Sequence, residues 1–314
     1  MREFFFKASR NALERLTDLY DITWPAAVGL WNLRWQVRGF KEAVPDFSEI
    51  QFAKRFAAGS GVERLNFNRA FFEHSWEKQQ NYFAWIILNN AFSIYESWLE
   101  EIEDTVFKPQ NIFFNKKAFQ FETQIDFGIW HQIHILTADQ STMLKNAFYN
   151  QYLSKKNNCQ HELDNLMLCF RFFKEARNCY MHNSIFADQK LIDAYIKYSS
   201  VANVNSLCVD EVPQIYQPQL NQEVEISLRG VVGFTAILIK IIRTCDTELL
   251  VSKYSEYEFI NAWKQSENNG RTLKTDPCRA ADQIARYVKQ CGYIKPSCID
   301  EIKQFLLDKR LMYR

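Results

Sequence analysis

The run Trp85-Ile86-Ile87-Leu88-Asn89-Asn90-Ala91-Phe92-Ser93-Ile94-Tyr95-Glu96-Ser97-Trp98-Leu99 carries one unbroken apolar stripe: Trp85, Leu88, Phe92, Tyr95 and Leu99 recur at steps of three and four. That spacing belongs to an α-helix with one face against a core. Glu96, Glu100 and Glu103 recur on a second face, and Lys108-Pro109 closes the run. The pattern predicts helix over residues 68–107, ended where proline denies the backbone a donor.

Working outward, residues 162–199 read as one long helix or two nearly continuous ones, with Leu163, Leu166, Phe170 and Phe173 toward the core. Residues 224–250 read as a further helix after a short extended entry. Its most apolar window, 231–242, is too short to span a bilayer and is interrupted by Lys240. Gly230 and Gly233 lack the lysine and helix-opening context of a phosphate loop, and point to close helix packing. On the N-terminal side, residues 2–20 and 26–40 are helical, with Trp24-Pro25 as the boundary between them. Residues 46–58 form a short helix stopped by Gly59-Ser60-Gly61. The alternation in residues 119–129 fits a short hairpin or an irregular excursion, 141–152 is helical, and 201–221, with Pro213 and Pro218, is a loop. The last stretch, 256–314, holds two or three short helices. The expected fold is mainly α, organised as an aromatic-rich helical segment (1–79), a helical domain (80–255) and a small basic helical segment (256–314).

Composition narrows the class. The 314 residues are 47% hydrophobic, with 26 phenylalanines but only nine glycines and seven prolines, which excludes a disordered chain and implies an aromatic core. A net charge of +1 gives no global field toward nucleic acid. Any such binding rests on a local patch, for which residues 268–314, with ten basic against five acidic side chains, are a candidate. The eight cysteines form no C-x-x-C pair and the N-terminus does not read as a signal peptide, so reduced thiols and a cytoplasmic location are expected. His131 and His134 could ligate a metal but lack a third ligand in sequence, and no metal or other cofactor is expected.

The chemistry concentrates in Glu175-Ala176-Arg177-Asn178-Cys179-Tyr180-Met181-His182-Asn183. An arginine and a histidine lie five residues apart, a polar residue follows the arginine, and an asparagine follows the histidine. This segment, with its flanking helices over roughly residues 80–250, resembles the HEPN superfamily, whose signature is an Arg and a His separated by four to six residues. A second arginine–histidine pair, Arg69 and His74, lacks the asparagine.

The resemblance implies a HEPN-type helical bundle and a metal-independent endoribonuclease, of the toxin-like or antiviral defence kind. Arg177, Asn178, His182 and Glu96 would be its catalytic residues, and Arg177 and Asn183 would contact RNA. The residue types suit the reaction, because RNA carries its own nucleophile in the 2′-hydroxyl. Imidazole titrates near neutrality and can pass protons. Guanidinium keeps its charge and offers a planar fork to phosphate oxygens. Asn178 shares a helix face with His182, and an acid on the first long helix recurs in the family and would orient the Arg or His.

Residues five apart on a helix point about 140° apart, so one motif copy makes a poor site by itself. The resemblance implies a homodimer with two motifs facing one cleft, and leaves room for an antitoxin or regulatory partner. The alternative is a non-catalytic RNA-binding or dimerisation module. Trp31, Trp35, Arg34 and Arg38 could stack on and clamp nucleic acid, although a packed amphipathic helix explains them equally.

Overall fold

In the computed structural model, which describes residues 4–46, 48–182 and 185–314, helix α1 (Lys7–Ala43) has no side-chain cap from its own N-cap residue, Phe6. The first amides of any helix lack internal partners. Here one acid from far along the chain takes the first of these amides, and another takes the two amides just ahead of the helix. Asp246 accepts from Phe5 N at 2.7 Å and Phe6 N at 3.1 Å, and Glu258 accepts from Lys7 N at 3.0 Å. Carboxylates at this end also oppose the positive pole of the helix dipole. Phe4, Phe5 and Phe6 are consequently core residues, each buried, with the Phe5 ring 5.0 Å from Tyr293.

The centre is built by α3 (Trp76–Ile102), α7 (Leu163–His182) and α9 (Leu228–Leu250). Phe92 of α3 lies 5.1 Å from Phe170 of α7 and 5.2 Å from Phe234 of α9, and Phe173 stacks on Phe234 at 4.6 Å. The stripe that predicts α3 is the face it buries: Trp85, Leu88, Phe92, Tyr95 and Leu99 are all buried. The first half of α1 lies along α3, tied by a hydrogen bond from Trp98 Nε1 to Ser9 Oγ at 2.9 Å. A separate apolar cluster of Val37, Phe52, Phe67 and Phe71 joins the far half of α1 to α2 (Glu49–Phe56) and to a π-helical turn, Arg69–Glu73.

Shorter elements close the rest. They are α4 (Ile129–Leu136), α5 (Thr142–Leu144) and α6 (Asn150–Leu153), with α8 (Gln189–Ser199) packed on α7. Then come α10 (Glu256–Gln265), α11 (Pro277–Gln290) and α12 (Ile299–Asp308). Strands β1 (Arg271–Thr272) and β2 (Met312–Tyr313) pair in parallel, with Arg271 opposite Met312. The fold is mainly α. Among the described residues no helix is long and apolar enough to cross a membrane.

Several sequence expectations are revised or resolved, first the single helix over residues 68–107, which breaks at His74 and Ser75, where the Ser75 hydroxyl accepts from Lys78 N to start α3. Trp24-Pro25 does not divide two helices, because α1 runs through Pro25. Pro25 and Asp21 are both exposed, so the carbonyl that proline leaves without a partner is open to water. Residues 119–129 do not form a hairpin. Of the two readings left open there, the irregular excursion holds: a 3₁₀ turn at Ala118–Gln120 leads to one antiparallel bridge, Gln124 to Phe127, before α4 begins. Gly230 and Gly233 do not admit another helix. They admit the loop that crosses α9: a β-carbon on Gly230 would lie 2.0 Å from the Gln214 carbonyl oxygen, and one on Gly233 would lie 3.1 Å from Pro213. Gly230→Ala is therefore expected to destabilise the protein by about 1–3 kcal/mol through overpacking. Chemical denaturation measures it, and a change below about 0.5 kcal/mol would contradict the contact.

Several carboxyls are buried at the α1–α9–α10 junction. Burial pushes Asp246 up to about 6, against the pull of hydrogen bonds from Ser9, Phe5 and Phe6. Burial also pushes Glu248 up to about 7, although Tyr149 donates to it at 3.2 Å. Both values exceed the ordinary 3.8 and 4.5. Between the ordinary and the raised value, the folded chain holds protons that the unfolded chain has released. The associated stability is whole below the ordinary value and lost as pH rises through the raised one. The melting temperature should decline from pH 5 to pH 8, and Glu248→Gln should flatten that decline. An unchanged slope in the variant would remove Glu248 from the explanation.

Candidate active site

Helix α7 carries the motif because its apolar positions, from Leu163 to Cys179, hold one face on the core and turn the polar residues outward. Arg177 is 22% exposed at its side chain. Its Nη1 lies 3.7 Å from Glu96 Oε1 on α3, and the guanidinium carbon lies 5.9 Å from the centre of the Phe92 ring. At 3.7 Å the pair is electrostatic, beyond hydrogen-bond length. Among the described residues, the buried Arg177 Nε has no hydrogen-bond partner.

Asn178 lies on another side of α7. Its Nδ2 donates to Glu175 Oε2 at 3.2 Å, and Glu175, itself buried, also pairs with Arg171. Glu175 therefore engages Arg171 and Asn178, while Arg177 turns to Glu96. His182 is the last residue of α7 and is exposed. Among the described residues no hydrogen bond joins His182 to Arg177 or to Asn178. Asn183, expected to contact RNA, lies outside the described residues. The structure thus brings Glu96 to Arg177 and Asn178 to Glu175, and leaves His182 at the helix end.

No protein-family model, curated protein or solved structure matches this chain.

Two features near the motif were not singled out from sequence. Lys174 stands one turn before Arg177, and Arg171 one turn before that. Burial, and then the charge of Arg171, pull Lys174 down to about 8, while its ammonium donates to Gln120 Oε1. Three cations stand within two turns of one helix, and Lys174 is the one that neither Glu175 nor Glu96 pairs within 4 Å among the described residues. Their steps of three were readable in the sequence, but the depth of Lys174 was not.

The second feature is a cleft of about 920 Å³ beside the end of α7, lined by Tyr180, Trp85, Tyr82, Tyr216 and Ile185 among others. Tyr180 stacks on Trp85 with ring centres 4.1 Å apart. Ile185 takes a positive φ of 70°, which a β-branched side chain rarely adopts. It is held there by bonds from Ile185 N to Cys179 O at 3.2 Å and from Val224 N to Ile185 O at 2.8 Å.

The remaining sequence candidates have structural roles here. Arg34 Nη1 donates to His74 O at 2.9 Å and Arg38 Nε to Phe71 O at 2.7 Å, so both arginines hold the segment after α2. Arg34 is buried, and burial followed by the charge of Arg38 lowers its pKa. Arg69 is exposed, while His74 faces Tyr82. On α4, His134 stacks on Trp130, and among the described residues no group of three ligand-type side chains gathers around His131 or elsewhere.

Proposed function

We propose that the chain is a metal-independent endoribonuclease of HEPN type, whose site is completed by a second copy of the motif. One observation carries the reading. A guanidinium steered by an acid from the neighbouring helix, Arg177 with Glu96, shares a helix with a solvent-facing imidazole, His182. In the proposed reaction Arg177 receives a non-bridging phosphate oxygen, backed by the charge of Lys174. His182 moves the proton: it takes one from the 2′-hydroxyl, or gives one to the departing 5′-oxygen. With Asn178 Nδ2 engaged by Glu175, its amide oxygen is the atom left to accept from His182 or from a ribose hydroxyl.

The angular separation of Arg177 and His182 on one helix supports two copies, with the imidazole of one chain serving the phosphate held by the other. RNA is the substrate, the partner is a second copy, and a toxin-like or antiviral role with an antitoxin is the biological setting this reading brings with it. A cytoplasmic location goes with it.

The test is cleavage of single-stranded RNA by the full chain in EDTA, with the product ends analysed. Ends bearing 2′,3′-cyclic phosphate are expected. Activity that appears only with added divalent metal would sink the mechanism. Retention of intact RNA without cutting would point to the non-catalytic binding module.

A further inference from the structure

Beyond Tyr20, helix α1 exposes a line of large apolar side chains. Trp24, Val28, Trp31 and Trp35 are 38, 59, 37 and 57% exposed, while Thr23, Ala27, Arg34 and Val37 are buried. At about 100° per residue, the exposed line lies roughly 105° around the helix from the buried one. Extended by one step at each end, it reads Asp21, Trp24, Val28, Trp31, Trp35 and Arg38, with steps of three, four, three, four and three. This is the heptad seam of a two-helix pairing, written on the outside of the molecule. Trp76 widens it, its ring 4.9 Å from that of Trp31.

We propose that this seam pairs antiparallel with the same seam of a second copy of the chain. The charges at its ends choose both partner and direction. In an antiparallel pair about a two-fold axis, Trp24 meets the partner's Trp35, Val28 meets the partner's Trp31, and Asp21 meets the partner's Arg38. Each layer sets one seam position against the other, as antiparallel packing requires. A parallel pair would set Asp21 against Asp21 and Arg38 against Arg38, both repulsive. Arg38 is already oriented by the bond from its Nε to Phe71 O, which leaves its terminal nitrogens for an acid.

Surfaces of this kind are interfaces more often than bare water-facing helix. The seam also borders the cleft that Tyr180 enters, because Ser75 and Glu77 line both that cleft and the shallow hollow beside Trp31 and Trp35. The pairing rests on α1 alone and not on the nuclease reading.

Sedimentation velocity on the full chain tests it. The native protein should be dimeric at micromolar concentration. Val28→Glu and Trp35→Glu should each weaken the dimer at least tenfold with the helical circular dichroism unchanged, since both side chains are exposed. Asp21→Arg alone and Arg38→Asp alone should each weaken it too. Mixing those two proteins should restore a dimer, because both end pairs become opposite in charge again. A native monomer, a dimer indifferent to Val28→Glu, or no restoration on mixing would overturn the proposal. So would a monomer whose binding to anionic vesicles is lost with Trp35→Glu. RNA cleavage measured alongside separates the two ideas. Cleavage that survives in a Val28→Glu monomer sinks the composite site and leaves the seam. Cleavage lost on dilution from a dimer indifferent to Val28→Glu sinks the seam and leaves the composite site.

Discussion

RNA cleavage by the His182→Ala protein is expected to fall by roughly a hundred- to ten-thousand-fold, the usual contribution of a positioned proton-transfer group. Its melting temperature should stay within about 1 °C of the native value, because surface substitutions away from packed features change stability by only about 0.5 kcal/mol. The separation of the two outcomes is what makes the experiment decisive. His182 is exposed at the last position of α7, so its loss opens no cavity and strands no buried group. Arg177→Ala should stop cleavage as well, but with a stability cost, since its guanidinium lies over Phe92 and beside Glu96. Arg177→Lys keeps the charge, loses the fork, and should recover little activity. Glu96→Gln should lie between, with cleavage reduced and not abolished, because that acid acts only through Arg177. An active His182→Ala protein would remove the imidazole from the mechanism, and with it the proposed nuclease.

Phe5→Ala should lower the free energy of unfolding by about 3–5 kcal/mol, the range for truncating a fully buried phenylalanine. The ring is fully buried and meets Phe6, Phe148, Tyr152 and Tyr293 within 6.4 Å, so no single neighbour can collapse to fill its place. Asp246→Ala tests the same junction by another route, since it leaves the Phe5 and Phe6 amides buried and unpaired at about 1–3 kcal/mol each. Asp246→Asn keeps one acceptor and should cost less than Asp246→Ala. Urea denaturation followed by circular dichroism gives all three numbers. A Phe5→Ala loss under about 1 kcal/mol would mean that the N-terminal residues are held far less firmly than their contacts suggest.

How much of this was legible beforehand follows from the range of each interaction. The stripe from Trp85 to Leu99 and the apolar positions of α7 and α9 are local periodicities, and the structure buries them as read. Pro25 misled because its effect on a helix depends on whether the carbonyl it abandons can reach water, and that is a matter of which side faces solvent. Residues 119–129 stay open between hairpin and irregular excursion in sequence, because alternation over so few residues fits both, and the structure takes the irregular form. Gly230 and Gly233 were recognised as a place of close approach, but the approaching Gln214 lies in a loop without periodicity. Residues 2–20 read as helix, and nothing nearby in sequence reveals that Phe4–Phe6 stand ahead of it in the core, with Asp246 receiving the amides of Phe5 and Phe6 and Glu258 that of Lys7. At the candidate site, Arg177, Asn178 and His182 were visible as spacing. The division of acids, with Glu96 to Arg177 and Glu175 to Arg171 and Asn178, required the positions of two helices.

The capping of α1 by acids about 240 residues away has a consequence for the nascent chain. At typical elongation rates of 5–20 residues per second, roughly 10–50 s pass between the making of Phe5 and the making of Asp246. Throughout that interval three consecutive phenylalanines have no berth, and a helper that shields apolar segments at the ribosome would find them waiting. The stretch synthesised early is among the last to be housed.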